Sequence, residues 1–588
     1  MSEETLLSDL EKKRHTGAHI LASAVAKHLE DEKVDVKFGI GPPIEHGFYY
    51  DFDLGERTLT DADFKGIEKA MKHIVKQNLP FEMREVSISQ AREISAHQPY
   101  KLELINDFEA KGLSTVTYYS IGKFEDLCRG NHVDSTGKVG AFKIDKVAGA
   151  YWKGDEKNPM MQRVYVLMFD TQDELDAHIA MLEEAKKRDH RKLGKELDLF
   201  AFSDLIGPGL PLFTPRGTIL RDELTRYVIE LQEPLGYKNV DIPHLTNTEL
   251  YKVSGHYDKY GEDLFKFNMG EREFAVKPMN CPHHTQIFDS RQRSYKELPI
   301  AYYNITKVYR NEQSGELAGL SRVLSITQDD GHVFCRPDQI QDEASKIYVM
   351  IKTFYATLGM NLQVRLSRRD PANPQKYLGD DALWNNAENS LKQVLSAAGI
   401  SEFIDGPGEA AFYGPKLDFM IKDAIGREWQ VATIQLDFNM PMRFNLSYVD
   451  EHNQKQHPVM IHRAILGSVE RFMSIMIEHF GGNFPTWMSP EQVRILPISD
   501  NFLGYAQEVE SALKVHGVRV EIDGRAESLG KKIREAEIWK VPYSLIIGEK
   551  EVASKTVTPR KRHVGDMPAV SAQEFTDMII KEIKVRSL

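Results

Sequence analysis

The sequence predicts a multidomain protein of the α+β class. At 588 residues the chain is too long for a single hydrophobic core, and its 41% hydrophobic and 28% charged residues are typical of a globular protein. Helical patterns and β-rich runs mix irregularly over most of the length, whereas strand and helix patterns alternate regularly after residue 490. We therefore expect three folded domains and a connecting helix.

The predicted domains follow one another with changes of pattern. Residues 1–170 open with the helical stretch HTGAHILASAVAKHLE and continue through FGIGPPIEHGFYYDFD, which indicates a turn between strands. Residues 171–197 have the charged helical pattern of an exposed connecting helix. Residues 198–489 mix helices with β-rich runs such as YYNITKVYR, and residues 490–588 predict a small, mainly parallel α/β domain.

The composition excludes several classes of protein. No window approaches the roughly 18 apolar residues of a membrane span, and the acidic start MSEETLLSDLEKKRH is unlike a secretory signal, so we expect a cytoplasmic enzyme with no membrane partner. Three cysteines rule out a disulfide framework. The formal charge of -12 argues against nonspecific coating of nucleic acid. Residues 491–588 are the relatively basic part, with 16 Lys and Arg against 15 Asp and Glu.

Two motifs near the N-terminus predict a polar site. HTGAH puts His15 and His19 four residues apart on one helix face, although such pairs also arise by chance among 20 histidines and two surface or capping histidines are the alternative. CRGNH repeats the spacing with Cys128 and His132, and Asp126 precedes them. If the two elements converge, they can hold a metal ion or activate a water molecule.

A second polar site is predicted from three separate stretches. Cys281 lies in KPMNCPHH, His332 in TQDDGHVF and His462 in PVMIHRAILGS. Taken alone, Cys281 fits a small buried hydrophobic residue. One cysteine and two histidines from different elements form a three-ligand set that leaves one tetrahedral position open, as catalytic zinc requires.

Arginines beside acidic residues predict recognition of anions. VYRNEQSGE places Arg310 two residues before Glu312, so that both side chains face the same side of a predicted extended strand. Arg471 lies at a helix start in ILGSVERF. The guanidinium group binds polyphosphate and carboxylate oxygens in pairs, although an R-x-E pair read alone is often a solvated strand pair.

Together these stretches resemble the signature motifs of the class II aminoacyl-tRNA synthetases. LGYKNVDIPHL is similar to motif 1, a dimer-interface helix and strand ending in Pro243, while YRNE resembles motif 2 and ILGSVERF resembles motif 3. The combination of MNCP, TQDDGH, FYGPK, QLDF and MIHRAILGS resembles the threonyl-tRNA synthetase family in particular, and HTGAH with DLCRGNH resembles its editing domain. The resemblance runs from about Lys13 to the C-terminus.

The resemblance implies a fold and a function. The expected fold is a class II catalytic core on an antiparallel sheet, preceded by an α+β editing domain and followed by an α/β anticodon-binding domain. The expected enzyme is a homodimeric threonine–tRNA ligase, joined through the motif 1 region, which activates L-threonine with ATP, charges tRNA(Thr) and hydrolyses seryl-tRNA(Thr) at the N-terminal site. The chain starts close to the editing domain, so the small ubiquitin-like domain of many bacterial members is expected to be absent.

The resemblance also implies roles for individual residues by position. The residues expected to bind ATP with Mg2+ are Arg310, Glu312, Arg322 and Arg471, with Arg310 and Arg471 as the catalytic arginines. The expected ligands of one zinc ion per subunit are Cys281, His332 and His462, with His283 as a rival ligand. The expected wall of the threonine pocket consists of Gln328, Asp330, which faces the ammonium group, Tyr413, Gln430 and Gln435.

The two RNA-related sites have expected residues as well. The editing residues implied by the resemblance are His15, His19, Lys101, Asp126, Cys128 and His132. In the relatively basic C-terminal domain, Arg560 and Arg562 are expected to contact tRNA, and the alternative is an ordinary solvated charge run. A threonine- or tRNA-sensing paralogue and a free-standing hydrolase are rival functions. A sensor need not keep the ATP arginines, and a hydrolase needs no ligase core.

Overall fold

The computed structural model describes residues 7–423 and 426–588 and divides into two compact units, Met1–Glu183 and Glu184–Leu588. Both units combine helices with mainly antiparallel sheets, as the sequence predicts. Within the described residues, no helix is both long enough and apolar enough to cross a membrane.

The first unit is built on two antiparallel sheets. Its helices are α1 Asp9–His28, α2 Asp61–Gln77, α3 Ile88–Ile94 and α4 Pro99–Ala110, and the division between the units falls inside α5 Gln172–Arg188. Its strands are β1 Lys37–Phe38, β2 Pro43–Ile44, β3 Gly47–Asp53, β4 Glu82–Ser87, β5 Thr115–Ile121, β6 Phe124–Leu127, β7 Ala141–Tyr151 and β8 Met160–Phe169. One sheet has the order β1-β3-β8-β7 and the other β4-β5-β6.

Helix α1 carries the HTGAH motif into the core of this unit. Its N-terminus is fixed by a capping box, in which the Ser8 side chain accepts from the Glu11 N–H and the Glu11 carboxylate accepts from the Ser8 N–H. The helix packs against α2 and β3, and His19 is buried within it. Because His15 lies one turn before His19, both imidazoles lie on one face.

The connection at 171–197 consists of two helices rather than the single helix that the sequence predicts. Helix α5 ends at Arg188, and α6 His190–Glu196 begins after Asp189. The Asp189 side chain accepts from the Arg191 N–H as an N-cap, so the carboxylate that starts α6 also interrupts the helical run.

The second unit contains two sheets of functional interest and several two- and three-stranded ones. Its further helices are α7 Pro215–Gln232, α8 Glu249–Ser254, α9 His256–Tyr260, α10 Cys281–Asp289, α11 Ile340–Thr357, α12 Asp381–Ala397, α13 Asn439–Arg443, α14 Val469–Phe480, α15 Leu503–Val515, α16 Leu529–Ile538, α17 Glu549–Ser554 and α18 Ala572–Lys584.

The strands of the second unit range from two to eleven residues. They are β9 Phe200–Ala201, β10 Leu212–Phe213, β11 Lys238–Asn239, β12 Leu245–Asn247, β13 Lys266–Met269, β14 Arg272–Val276, β15 Arg293–Ser294, β16 Ile300–Tyr309, β17 Ser325–Cys335, β18 Leu362–Arg368, β19 Ile404–Pro407, β20 Lys416–Lys422, β21 Glu428–Asp437, β22 Tyr448–Val449, β23 Lys455–Gln456, β24 Val459–Ala464, β25 Val493–Pro497, β26 Val520–Ile522, β27 Tyr543–Ile547, β28 Thr556–Lys561, β29 Gly565–Asp566 and β30 Val570–Ser571.

An eight-stranded sheet organises the larger part of this unit. Its order is β11-β16-β17-β24-β21-β20-β18-β19, with antiparallel pairing at every step except the two edges, where β11 pairs with β16 and β19 with β18 in parallel. Helices α11, α12 and α14 pack against it around the largest hydrophobic core of the protein. These helices cover one face of the sheet, and α10 packs on part of the other face through a smaller hydrophobic cluster.

A buried ion pair crosses the centre of this sheet. Arg463 and Asp329 are both fully buried, with Nη1 and Oδ1 2.5 Å apart, and Asp329 also accepts from the backbone N–H groups of Ile465 and Leu466. Gly331 makes room for the pair, because a Cβ there would lie 2.5 Å from the Arg463 guanidinium carbon. Burying a charge pair costs free energy, and hydrogen bonds to the pair offset that cost. Because these contacts form in only one register of β17 and β24, the pair favours that register.

The segment Arg310–Glu312 is not the extended strand that the sequence predicts. Strand β16 ends at Tyr309, and the Glu312 N–H donates to the Arg310 carbonyl at 3.0 Å, which closes a tight turn. The Arg310 N–H donates to the Leu324 carbonyl at 3.0 Å, the last hydrogen bond in register with the β16–β17 pairing. The chain leaves the sheet here to form a loop over residues 310–324, which we call the arginine loop, so strand alternation does not apply to Arg310 and Glu312.

The C-terminal sheet has the order β26-β25-β27-β28-β29 and is parallel only in its first three strands. Strands β28, β29 and β30 are antiparallel, so the prediction of a mainly parallel sheet is wrong for this half. Parallel neighbours need a crossover of about a dozen residues or more. Residues 548–555, which join β27 to β28, are too few.

Candidate functional site

The eight-stranded sheet aligns several predicted site residues in one row. Gln435 on β21 lies opposite His462 on β24, and His462 lies opposite His332 on β17. Residues directly opposite one another place their side chains on the same sheet face. Cys281 begins α10, and the donor atoms of Cys281, His332 and His462 all lie within 4.8 Å of one another. We call these three residues the three-donor set.

The geometry of the three-donor set fits a zinc ion. Two imidazole nitrogens on one tetrahedral zinc are about 3.3 Å apart, and His332 Nε2 lies 3.1 Å from His462 Nδ1. The other ring nitrogen of His462, Nε2, lies 3.1 Å from the buried Asp437 Oδ2, an arrangement typical of metal-binding histidines. One thiol and two imidazoles are also donors that zinc prefers, and they leave one coordination position open.

Burial keeps two of these donors, Cys281 and His332, uncharged in the absence of a cation. It raises the pKa of the Cys281 thiol well above its ordinary value, and the charges of Asp330 and Asp437 act in the same direction. Burial also lowers the pKa of His332 well below its ordinary value. A bound divalent cation favours the thiolate, so this set suits metal binding better than free thiol chemistry.

Three residues of the predicted threonine wall surround the set. Asp330 Oδ1 lies 3.5 Å from His332 Nε2, and burial raises the pKa of Asp330 to about 6, so the carboxyl group is mostly ionised at pH 7. The Tyr413 ring lies 5.3 Å from the His462 ring, and Gln435 Nε2 donates to the Gly414 carbonyl at 3.3 Å. A buried carboxylate beside polar groups of this kind suits an ammonium ligand.

The other two predicted wall residues lie further along the strands, Gln328 on β17 and Gln430 on β21. Gln430 is about 16 Å from Gln435 along β21, beyond an irregularity in the pairing with β20, and its Nε2 donates to Asp418 Oδ1 at 2.7 Å. Gln328 forms a backbone bridge with Ser468, the N-cap of α14. The structure therefore brings Gln328 towards the helix that carries Arg471 and brings Gln430 into a separate polar cluster.

The histidine beside the three-donor set is His284 rather than the rival ligand His283. His284 Nδ1 lies 2.8 Å from His332 Nδ1. His283 Nε2 lies 2.6 Å from Thr246 Oγ1, and His283 belongs to no metal-compatible group among the described residues. The spacing explains the difference, because residues three apart share a helix face and residues two apart do not, and Cys281 begins the helix. This signal was present in the sequence.

His256 is a buried residue near the site that the sequence analysis did not single out. Its ring lies 5.9 Å from the Tyr413 ring, and its Nδ1 lies 2.8 Å from Ser254 Oγ. Burial, followed by the charges of His462 and Arg310, lowers the pKa of His256 to about 3. The contact with Tyr413 joins residues far apart along the chain, so the sequence around His256 carries no local signal of its place beside the site.

Three arginines gather beside α14. Arg471 is the third residue of that helix, and its Nε donates to the Ser321 carbonyl in the arginine loop at 3.0 Å. Dense surroundings, followed by the positive charges of Arg310 and Arg322, lower the pKa of Arg471, although the residue remains exposed to solvent. Arg322 is paired with Glu312 at 2.6 Å and Glu316 at 2.7 Å. Like charges collected near the N-terminus of a helix favour an anionic ligand.

The first unit brings the N-terminal motifs together in a second site. We call His15, His19, Cys128 and His132 the His/Cys cluster, because their donor atoms lie within 4.8 Å of one another. Cys128 Sγ lies 3.2 Å from His132 Nε2 and 3.4 Å from His15 Nε2. Both motifs predicted from spacing therefore converge in space.

Lys101 and Asp126 lie behind His19 in this site. Lys101 Nζ is 2.6 Å from Asp126 Oδ1 and 3.1 Å from the Tyr50 hydroxyl, which itself donates to Asp126. Asp126 Oδ2 is 3.8 Å from His19 Nδ1, and all of these side chains are buried. Each buried charge thus has a partner, which keeps the site polar and rigid.

Burial sets the protonation states of the His/Cys cluster. It lowers the pKa of His15, His19 and His132, so the imidazoles are neutral near pH 7. It raises the pKa of the Cys128 thiol to about 11, which leaves almost no thiolate. A cysteine nucleophile needs a lowered pKa, so the cluster suits base or hydrogen-bond chemistry better than attack by Cys128.

Comparison with known proteins identifies the family. Three family profiles match: "tRNA synthetase class II core domain (G, H, P, S and T)" over residues 265–480, "Anticodon binding domain" over 492–582, and "Threonyl and Alanyl tRNA synthetase second additional domain" over 116–165. The threonine–tRNA ligases of Thermotoga neapolitana and Cytophaga hutchinsonii are each 48% identical to the chain, and the alignments cover 98% and 97% of it and 88% of each relative. The chain belongs to the threonine–tRNA ligase family.

A solved structure agrees with this family. The RNA binding domain of threonyl-tRNA synthetase from Cryptosporidium parvum Iowa II is 39% identical, with a TM-score of 0.65 over 67% of this chain and 98% of that one. The resemblance predicted from the motifs is therefore confirmed, and so is the predicted fold, with a class II core, an editing-type N-terminal domain and an anticodon-binding domain.

In this threonine–tRNA ligase family member, the two predicted tRNA-contacting arginines have different surroundings. Arg560 on β28 is partly exposed and pairs with Asp566 at 2.6 Å and Glu537 at 3.3 Å. Arg562 donates to the carbonyls of Lys540 and Phe484, the latter at 2.7 Å, and burial lowers the pKa of Arg562 to about 10. The contacts of Arg562 indicate a structural role and do not support the prediction that it binds tRNA.

Proposed function

We propose that this chain is a threonine–tRNA ligase that proofreads its product. It activates L-threonine with ATP to threonyl-adenylate, transfers the threonyl group to tRNA(Thr), and hydrolyses seryl-tRNA(Thr) in the N-terminal unit. The observation that carries the proposal is the joint presence, in one chain of this family, of the three-donor set beside the arginines and of the separate His/Cys cluster.

Threonine recognition is assigned to the three-donor set and its neighbours. Cys281, His332 and His462 would hold a zinc ion, which would act as an electrophile for the amino and hydroxyl groups of threonine if its coordination expands from four to five. Asp330 faces the ammonium group, while Tyr413 and Gln435 complete the wall. A site that must bind a hydroxyl group rejects valine far more strongly than an apolar pocket does.

ATP recognition is assigned to the arginines. Arg310, Arg322 and Arg471 bind the phosphates together with Mg2+, and Glu312 keeps Arg322 in place through their 2.6 Å contact. Adenylate formation is an in-line displacement at phosphorus. These residues therefore act by orienting ATP and by stabilising the charge that develops in the transition state.

Editing is assigned to the His/Cys cluster. Serine differs from threonine by one methyl group, which is worth only about 1–3 kcal/mol of discrimination in a pocket. Aminoacyl-tRNA synthetases that face such small differences use a second, hydrolytic site. The neutral imidazoles of His15, His19 and His132 can orient and deprotonate a water molecule, with Lys101 and Asp126 supporting His19.

The remaining assignments concern organisation. We assign residues 1–170 to editing, 171–197 to the connection, 198–489 to catalysis and 490–588 to anticodon binding. The enzyme is a homodimer through the motif 1 region around α7 and β11, which is an edge strand of the eight-stranded sheet. Its location is the cytoplasm, where ATP, threonine and tRNA occur together.

The test of the proposed function is amino-acid-dependent ATP–pyrophosphate exchange with each of the twenty amino acids. We expect exchange with threonine, weak exchange with serine, and no more than background with valine. Exchange that is absent with every amino acid would favour a sensing paralogue, and hydrolysis of seryl-tRNA(Thr) without exchange would favour a free-standing hydrolase.

Arg560→Ala is expected to weaken tRNA charging by about tenfold while leaving ATP–pyrophosphate exchange intact. Arg560 is a partly exposed cation in the relatively basic domain, and each lost phosphate contact weakens binding of a polyanion. The measurement compares the KM for tRNA(Thr) with the exchange rate. Lys514→Ala is the matched control, since Lys514 is an exposed cation paired with Glu510 at 2.9 Å.

A separate variant tests the structural assignment of Arg562. Arg562→Ala leaves two carbonyl groups without their donor, so we expect a lower melting temperature and loss of both activities.

An Arg560→Ala enzyme with unchanged KM for tRNA(Thr) would remove Arg560 from the RNA-binding residues. A loss of exchange in Arg560→Ala would instead indicate damage to the fold.

A further inference from the structure

His190, the first residue of α6, connects three parts of the second unit. Its Nδ1 lies 2.7 Å from Glu478 Oε1 near the end of α14, and its Nε2 accepts from the Leu320 N–H at 3.1 Å. Asp189, His190 and Glu478 are close enough together to be compatible with a metal ion. Their atoms are already engaged, however, because Glu478 also contacts Arg427, and both Asp189 oxygens accept from Arg191. These three residues therefore form a hydrogen-bonded group that joins neighbouring elements rather than a metal site.

The two partners determine the protonation of the His190 ring. A backbone N–H can only donate, so Nε2 is the unprotonated acceptor, and a carboxylate accepts, so Nδ1 carries the hydrogen. Burial lowers the pKa of His190 to about 4, so the ring is neutral near pH 7. The ring therefore presents one donor and one acceptor, each to a single partner.

The acceptor side of His190 faces the arginine loop. Leu320 is fully buried, and its N–H has His190 Nε2 as its hydrogen-bond acceptor. The adjacent Gly319 has φ +51, and a Cβ at this position would lie 2.2 Å from His190 Nε2, so the loop backbone packs directly on the ring. The next residue, Ser321, accepts from Arg471 at 3.0 Å, and Arg322 follows.

We propose that His190 is a positioning residue for ATP. It holds the turn at residues 318–322 through the Leu320 N–H, so that Arg322 and the Arg471 contact keep the geometry required for adenylate formation. The proposal rests on the proposed function, since it assigns the arginine loop to ATP. Without the acceptor, the buried Leu320 N–H loses its hydrogen-bond partner. Moving the turn so that this N–H reaches water then lowers its free energy.

Two substitutions separate the acceptor role of His190 Nε2 from the donor role of Nδ1. His190→Gln places an amide oxygen near the position of Nε2 and can still accept from Leu320. His190→Asn places its amide near Nδ1, where it can donate to Glu478 but cannot reach Leu320. The two variants have similar polarity, so each is the control for the other.

We expect His190→Asn to raise the KM for ATP about tenfold in threonine-dependent exchange, with the KM for threonine unchanged. His190→Gln should stay within about twofold of the unmodified enzyme. A merely structural role predicts equal losses of melting temperature and of active enzyme in both variants, with the KM for ATP unchanged in each. That pattern, or a larger effect of Gln than of Asn, would overturn the proposal.

Hydrogen exchange of a peptide covering residues 317–324 gives a readout that needs no activity. The Leu320 amide should exchange faster in His190→Asn than in His190→Gln or in the unmodified chain. Equal protection in all three would also overturn the proposal. If the unmodified enzyme shows no threonine-dependent exchange but Leu320 is protected as expected, then the proposed function fails while the His190 contact stands.

Discussion

Cys281→Ser is expected to remove the zinc ion, about one per chain, and to reduce threonine-dependent ATP–pyrophosphate exchange by about a hundredfold or more. Changing a residue that only orients a metal ligand already costs roughly 10–100-fold in metal affinity or activity, and Cys281 belongs to the donor set itself. A serine hydroxyl group is a much poorer zinc donor than a thiolate. The measurement is metal analysis of purified enzyme beside the exchange assay.

Two histidines on the same helix provide graded controls. His284 contacts His332 Nδ1 at 2.8 Å, so His284→Gln should weaken zinc binding without abolishing it. His283 contacts Thr246 instead, so His283→Gln should keep its zinc. Hydrolysis of added seryl-tRNA(Thr) should remain in all three variants, because that site lies in the other unit.

The zinc prediction fails in a recognisable way. Equal zinc content in Cys281→Ser and the unmodified enzyme would show that the metal is held elsewhere. Loss of zinc in His283→Gln with retention in His284→Gln would reverse the assignment made from the helix faces. In the first case the three-donor set would be a hydrogen-bonded group, which the 3.1 Å distance between His332 Nε2 and His462 Nδ1 also permits.

The sequence was sufficient to predict the residues of both sites where they lie in compact motifs. HTGAH and CRGNH fix the spacing within each element, and the structure brings the four side chains together. Cys281, His332 and His462 are far apart along the chain, and their convergence depends on the register β17–β24 and on the start of α10. The residue types suggested a three-ligand set and the family resemblance supported it, whereas spacing along the chain could not predict that the three residues converge.

The sequence was insufficient where a side chain's role depends on its tertiary neighbours. Arg560 and Arg562 look alike in the sequence, but only Arg562 meets two backbone carbonyls. Gln430 and Gln435 share a strand, but an irregularity in β20–β21 pairing and the length of the strand separate them. Local periodicity does not predict such irregularities, which arise when a strand adapts to its neighbours.

His19→Ala is expected to slow hydrolysis of seryl-tRNA(Thr) by about a hundredfold or more while leaving threonine activation within about twofold. A positioned general base typically contributes about 10²–10⁴-fold to a rate. His19 is 3% exposed, and among the residues that the structure describes its Nδ1 has no hydrogen-bond partner, so the buried imidazole is available to a water molecule or substrate. Burial, followed by repulsion from His15 when it is protonated and from the Lys101 ammonium group, lowers the pKa of His19 and keeps it a base.

The assay is deacylation of preformed seryl-tRNA(Thr), with threonyl-tRNA(Thr) as the substrate control. His73→Ala is the matched enzyme control, because His73 is an exposed histidine in the same unit. Cys281→Ser should show the reverse pattern, with charging lost and hydrolysis kept. If His19→Ala hydrolyses seryl-tRNA(Thr) as fast as His73→Ala, the His/Cys cluster is structural. The buried Lys101–Asp126 pair would then serve the stability of this unit, and His19→Ala should lower its melting temperature instead.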